Sequence, residues 1–249
     1  MLWPWAPVTP CGTIVCVDLW TVNVGRMPYG QALELQERVR AARQADAIPD
    51  TVLLLEHPPV YTRGRRTQPG ELPFGADFYA ERGIDVVDVD RGGKATFHGP
   101  GQLVAYPVVR VTDVLGFVGL LERVIAEALA EEGLPARGRA AEGRDFTGVW
   151  VGDRKIGSIG LHISHGVTTH GLAVNVDGDL TPFEWIVPCG LGGVAMTSIA
   201  AEAPGAVRDD LMDCFRKRLA HRLAVGMGAR QRLVTPARLQ RELAALPVG

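Results

Sequence analysis

The chain has 249 residues, 47% of them hydrophobic and 22% charged, with a formal net charge of −2. This is the balance of a globular protein with a substantial core, and it lacks the basic excess that a nucleic-acid footprint requires. No apolar run reaches the roughly 18 residues that span a bilayer, and the opening MLWPWAPVTPCG lacks the basic-then-apolar order of a signal peptide. The expected location is therefore the cytoplasm, with no membrane or nucleic-acid partner. Cys11, Cys16, Cys189 and Cys214 follow no framework spacing and read as free thiols.

In chain order, residues 1–12 read as a flexible, proline-rich arm. Thr13 to Trp20 is β-branched and apolar, a strand with Cys16 as a small core residue. Ala32, Leu35, Val39 and Ala42 recur at helical spacing between Tyr29 and Asp46, and Pro49 closes that helix. Thr51 to Glu56 is a short apolar strand running into His57-Pro58-Pro59, where the prolines force an extended path. Ile84 to Val89 is a further strand.

Residues 91–107, RGGKATFHGPGQLVAYP, are the densest stretch for function. Gly92, Gly93, Gly99 and Gly101 allow close backbone approach or positive φ, while Arg91, Thr96 and His98 supply hydrogen-bonding groups of defined geometry. Such a loop feeding the strand Gln102 to Val109 suits a binding site presented by a rigid sheet, although a plain hairpin loop has the same composition. Gly93-Lys94 is no phosphate-binding P-loop, since position 88 is aspartate and Ala95 stands where serine or threonine is needed.

Val114 to Glu132 carries one apolar stripe with Asp113 as its cap and Gly133 at its end. Thr147 to Val151, Lys155 to Ser164 and His170 to Val176 read as three successive strands, the first two joined by a Gly152-Asp153 turn. Val207 to Val225 is a closing helix with Cys214 on its apolar stripe, and residues 226–249 form a tail with room for a short helix. There is no regular βαβ alternation. The fold class is α/β (α+β): one domain, 13–225, built on a mixed sheet flanked by helices.

Cys189 sits between Pro188 and Gly190, a sharp turn that can expose its sulfur. Nucleophile and ordinary turn residue are both open on this pattern. A thiol with a pKa of about 8.5 needs a neighbouring base or cation. The chain has three lysines, Lys94, Lys155 and Lys217, and Lys155 opens a strand whose Gly157, Ser158 and Gly160 leave room for a ligand. His162 and His165 would face opposite sides of a strand, which argues against zinc. The segment around Ser158 lacks the spacing of a nucleophile elbow.

The run Arg91-Gly92-Gly93-x-x-Thr96-Phe97-His98-Gly99-Pro100-Gly101-Gln102-Leu103-x-x-Tyr106 resembles the signature of the lipoyl(octanoyl) transferases. The segments Glu56 to Thr62, Gly148 to Val151, Lys155-Ile156-x-Ser158-Ile159-Gly160, His170-Gly171-Leu172-Ala173-x-Asn175 and Pro188-Cys189-Gly190 follow in that family's order. The resemblance implies the fold of biotin and lipoate protein ligases. It also implies transfer of an octanoyl group from octanoyl-acyl carrier protein to a lysine of lipoyl domains, those of 2-oxo acid dehydrogenase complexes and the glycine cleavage H protein. No cofactor is expected, and the protein is expected to be a monomer.

By the same resemblance Cys189 is the acyl-thioester nucleophile and Lys155 its activating lysine. Arg91, Gly92, Gly93, Lys94, Ala95, Thr96, Phe97 and His98, then Ser158, Ile159 and Gly160, then Gly171, Leu172 and Ala173, form the substrate pocket. Phe97 replaces a frequent tyrosine, and Lys94 lies at an unspecified position of the signature. Arg63, Arg65 and Arg66 are candidates for docking the carrier protein or else a solvated loop. The rival readings are an ATP-dependent lipoate ligase and a non-catalytic acyl-binding module.

Overall fold

A computed structural model of the chain describes residues 17–187 and 193–245, so Cys11, Cys16 and Cys189 lie outside the described residues. In chain order the elements are β1 (Asp18–Arg26), α1 (Tyr29–Gln44), β2 (Asp50–Glu56), β3 (Val60–Arg63), α2 (Ala76–Ala80), β4 (Asp85–Asp88), β5 (Thr96–His98), β6 (Gln102–Val108), α3 (Val114–Ala130), β7 (Ala136–Gly138), β8 (Gly148–Val151), β9 (Arg154–Ser164), β10 (Val167–Asn175), α4 (Ile199–Glu202), α5 (Leu211–Gly226), β11 (Arg230–Leu233) and α6 (Pro236–Ala244). An eight-stranded sheet has the order β11-β1-β2-β6-β10-β9-β8-β7, and a three-stranded one the order β4-β3-β5. β1 runs parallel to β2 and β11, while the pairings from β2 to β7 are antiparallel. The sheet is mixed, as the absence of βαβ alternation implied.

The continuous apolar run of β2 is explained by cover on both faces. Val52 and Leu54 join the core beneath α3 and α5, while Leu53 and Leu55 join the one beneath α1 and α6. α3 is the longest helix packed on the first core. Asp113 accepts a hydrogen bond from the Gly116 N–H at 2.9 Å and caps the helix start, and Phe117, Leu121, Val124, Ile125 and Leu129 are buried along its inner face. The smaller sheet closes over an aromatic cluster of Tyr61, Tyr79, Phe97 and Phe183.

Two sequence expectations change. Cys214 does not pack in the core of α5: it is half-buried, and its thiol donates to Asp210 at 3.2 Å. Leu211, Phe215, Leu219 and Leu223 take the inner face, and position 214 falls at its edge. The segment after Val225 is also more than a tail with a helix. β11 pairs with β1 over Asp18–Thr21, and Leu239 and Leu243 of α6 are buried with Trp20, Val22, Leu35 and Val39.

A Leu239→Ala variant tests this integration. Truncating a buried leucine costs about 2–5 kcal/mol, so urea unfolding should register a loss of that size, whereas a loosely attached tail would leave the midpoint unmoved.

Candidate active site

A cavity of about 290 Å³ opens between the two sheets. Its floor is the β9–β10 hairpin, where Ser158 faces Ala173 and Gly160 faces Gly171. The absence of side chains is required here. A Cβ on Gly171 would come within 2.1 Å of the Ala105 carbonyl, and one on Gly160 within 2.8 Å of the Gly92 carbonyl. Gly171 lets β6 come close, and Gly160 lets the 91–94 loop lie against the sheet, where the Gly92 N–H donates to the Leu161 carbonyl at 2.9 Å.

Arg91 is buried, and its guanidinium donates to both the carbonyl and the hydroxyl of Thr62 at 2.8 Å. It therefore ties the loop to β3 and joins the two sheets across the cavity. Thr96 and His98 project from β5 into the cavity. Strand alternation sends Ala95 and Phe97 the other way. The Ala95 N–H donates to Glu71 at 2.9 Å, and Phe97 packs in the aromatic cluster, its centroid 5.5 Å from those of Tyr61 and Phe183. Those two expected pocket residues therefore stand behind the wall.

The wall has a hydrogen-bonded backing that fixes its tautomers. His57 faces the Met27 carbonyl through Nδ1 at 2.8 Å, so Nδ1 carries the proton and Nε2 accepts from the Tyr106 hydroxyl at 2.7 Å. His98 Nδ1 donates to the Gln102 side-chain oxygen at 2.7 Å, while the Gln102 amide donates to Asn175, and Asn175 in turn to the Thr197 carbonyl. Burial pushes His57 down to about 4 and His98 down to about 3, so both are neutral at physiological pH. Burial also pushes the Tyr29 hydroxyl up to about 12.

His170 adopts φ of +57°, unusual for a residue with a side chain. Three bonds hold it there: its N–H to Gln36 at 2.6 Å, Nε2 to Asp90 at 2.7 Å and Nδ1 with the Tyr29 hydroxyl at 3.2 Å.

Lys155 is 1% exposed. Its strand carries a bulge: Trp150 faces Lys155 but Val149 faces Gly157, and the irregularity re-aims the side chain. The amine donates to the Thr147 carbonyl at 2.9 Å and lies 5.4 Å from the centroid of the Trp150 ring. The Lys155 backbone bonds the chain a few residues after Cys189 in sequence, with its N–H donating to the Ala195 carbonyl and its carbonyl accepting from the Thr197 N–H, each at 2.9 Å. Two residues before Cys189 in sequence, the Val187 N–H donates to the Glu71 carbonyl.

The structure thus gathers Lys155, Arg91, Gly92, Gly93, Lys94, Thr96, His98, Ser158, Ile159, Gly160, Gly171, Leu172 and Ala173 around one cavity. Sequence reasoning did not find Tyr29, Tyr106 or His170 as lining residues, nor the rim formed by Arg66, Arg144 and Asp145, nor Val114 and Val118 at the apolar end. The signal available was the positioning of Tyr106 and His170 within the quoted motifs. Arg66 reaches the rim through an ion pair with Asp145 at 2.9 Å, whereas Arg63 pairs outward with Asp88. Among the described residues, no cluster of His, Cys, Asp or Glu could hold a metal ion, and no helix is long and apolar enough to cross a membrane.

The lipoyl protein ligase A/B catalytic domain family matches residues 28–223. The chain belongs to that family. All residues lining the cavity fall within the family match. Among curated relatives, the octanoyltransferase of Thermobifida fusca is 43% identical over 82% of this chain and 86% of its own. That of Mycolicibacterium smegmatis is 47% identical over 72% and 78%, and a mitochondrial octanoyltransferase of Arabidopsis thaliana is 38% identical over 82% and 89%. Within the lipoyl protein ligase A/B family the chain thus sides with the octanoyltransferases, which are acyltransferases. Among solved structures, lipoate-protein ligase A bound with ATP superposes with a TM-score of 0.71 at 17% identity, covering 91% of this chain and 92% of the other. A bipartite lipoate protein ligase from Thermoplasma acidophilum gives 0.70 at 17%, covering 92% and 91%. These distant structures share the fold.

The buried histidines predict a pH dependence. Their folded pKa values lie below the unfolded value of about 6.5, so the unfolded chain binds more protons in the interval between. Stability should be full above pH 6.5 and fall as pH drops toward 4, by about 1 kcal/mol per pH unit for each histidine. Urea titrations between pH 7 and 4 should show this slope, and a His57→Gln variant should show a shallower one.

Proposed function

We propose that this chain transfers the octanoyl group from octanoyl-acyl carrier protein to a lysine of lipoyl domains, with Cys189 as nucleophile and Lys155 as acid–base partner. The observation that carries the reading is the double attachment of Lys155. Its amine is held at the cavity by Thr147, and its backbone is bonded to Ala195 and Thr197, a few residues after Cys189.

The Cys189 thiolate attacks the thioester carbonyl of the donor. The tetrahedral intermediate collapses, and the pantetheine sulfur leaves with a proton from the Lys155 ammonium. The product is octanoyl-Cys189 and a neutral Lys155. The acceptor lysine amine then attacks the new thioester, Lys155 takes the proton that the amine loses, and Cys189 leaves as thiolate. Thioester to amide is downhill, so the cycle needs no ATP and returns both residues to their starting states.

The cavity suits an acyl chain lying along β9. From Ser158 to Ile163 the strand advances about 16 Å, longer than an extended eight-carbon chain. The surface changes from Lys155 and Thr147 at one end to Val114, Val118, Leu161 and Ile163 at the other. Arg66, Lys94 and Arg144 on the rim offer positive charge to an acidic carrier protein.

Intact-mass spectrometry after mixing with octanoyl-acyl carrier protein tests this reading. The protein should gain the mass of one octanoyl group without ATP, and transfer it to an added lipoyl domain. Cys189→Ala should gain nothing, and Lys155→Met should acylate at least 100-fold more slowly. An adduct surviving in Cys189→Ala, or transfer that requires ATP, would overturn it.

A further inference from the structure

Glu122 is a charged residue on the inner face of a helix that is otherwise apolar there, and it is 7% exposed. A carboxylate in such a place must have its charge satisfied. Among the described residues no ion pair involves it; backbone amides serve instead. A single carboxylate oxygen, Oε1, accepts from the N–H groups of Arg139 at 3.2 Å, Ala140 at 2.9 Å and Gly148 at 2.8 Å. These amides bracket the 139–148 segment, which brings Arg144, Asp145 and Thr147 to the cavity. The packing is close: a Cβ on Gly138 would come within 2.5 Å of Glu122 Oε2.

The third of these bonds reaches the reaction centre. The Gly148 N–H and the Thr147 carbonyl belong to one peptide unit, which is planar and rigid. On one edge the N–H points to Glu122; on the other the carbonyl accepts from the Lys155 amine at 2.9 Å. A carboxylate pulling on the N–H polarises the carbonyl and strengthens it as an acceptor for an ammonium group. The peptide therefore couples a buried carboxylate to a buried amine that it does not touch. Gly148 permits the approach: it has φ of +134°, and a Cβ there would come within 2.4 Å of the Gly157 carbonyl and 2.7 Å of Lys155 Cε.

We propose that Glu122 is a positioning residue for Lys155, clamping the Thr147–Gly148 peptide whose carbonyl holds the amine at the cavity. This rests on the reading of Lys155 as the acid–base group. Misplacing a reacting group by an ångström costs about 100-fold, and loss of one restraint on a side chain that keeps its bulged strand costs less.

The test is single-turnover acylation by octanoyl-acyl carrier protein, with rate and final adduct amplitude read by intact mass in Glu122→Asp, Glu122→Gln and Glu122→Ala. Asp shortens the arm by one methylene and pulls the carboxylate away from the peptide; Gln keeps an acceptor in place. The expected result is acylation slowed at least 10-fold in the Asp and Ala variants at full amplitude, with Gln within about 3-fold of the parent protein. A fall in amplitude that accounts for the lost rate would reduce Glu122 to a folding residue and overturn the proposal. Parent-like rates in Asp would do the same, and the Asp–Gln pair decides the matter if the Ala variant does not fold. Lys155→Met is run alongside. If it acylates at the parent rate, the reading of Lys155 fails; if it is inactive while Glu122→Asp is unimpaired, only the role of Glu122 fails.

Discussion

The placement of one amine inside the protein constrains much of the architecture around it. An ammonium group removed from water is costly unless it finds hydrogen-bond acceptors, and Lys155 meets the Thr147 carbonyl and the face of Trp150. To present those partners, β9 is bulged opposite β8, the 139–148 segment is tied to α3 through Glu122, and position 148 is a glycine. The same residue's backbone bonds Ala195 and Thr197, a few residues after Cys189 in sequence. Site and scaffold meet at this residue.

The opposite side of the cavity follows another rule. Arg91, His57, His98, His170, Tyr29 and Tyr106 are polar, yet the hydrogen bonds described above tie them to one another and to the protein around the cavity. Burial pushes the histidines below their usual pKa and the tyrosines above theirs, while the hydrogen bonds fix how each ring is turned. The wall presents rings and polar edges held in fixed orientation. Arg91 lines the cavity and at the same time bonds Thr62 of the smaller sheet, so a residue of the glycine-rich loop also braces the wall.

What the sequence disclosed depended on how local its signal was. β2, β6 and α3 carry their burial in their own patterns, and the glycines at 160 and 171 marked the cavity because a Cβ at either would run into backbone. β7 and β11 are three and four residues long at the edges of the sheet, reading ARG and RQRL, and had no periodicity to read. Tyr29 enters the cavity from the start of a helix far from the signature, and Glu122 looks like an ordinary charge until the distant amides of 139, 140 and 148 surround it. Thr96 and Phe97 could have been separated by strand alternation alone, a step that treating the motif as a single unit obscured.

The pairing of β11 with β1 has a consequence for how the chain is made. The strand at Asp18–Arg26 has its outer neighbour at Arg230–Leu233, and Trp20 and Val22 share a core with Leu239 and Leu243. A ribosome releases the first of these partners some two hundred residues before the second. β1 therefore waits, with an apolar flank uncovered, until residues 230–243 have been made. Such closure between segments some two hundred residues apart is the kind of distant contact that slows folding, and it makes α6 a late addition to the core that it shares with β1.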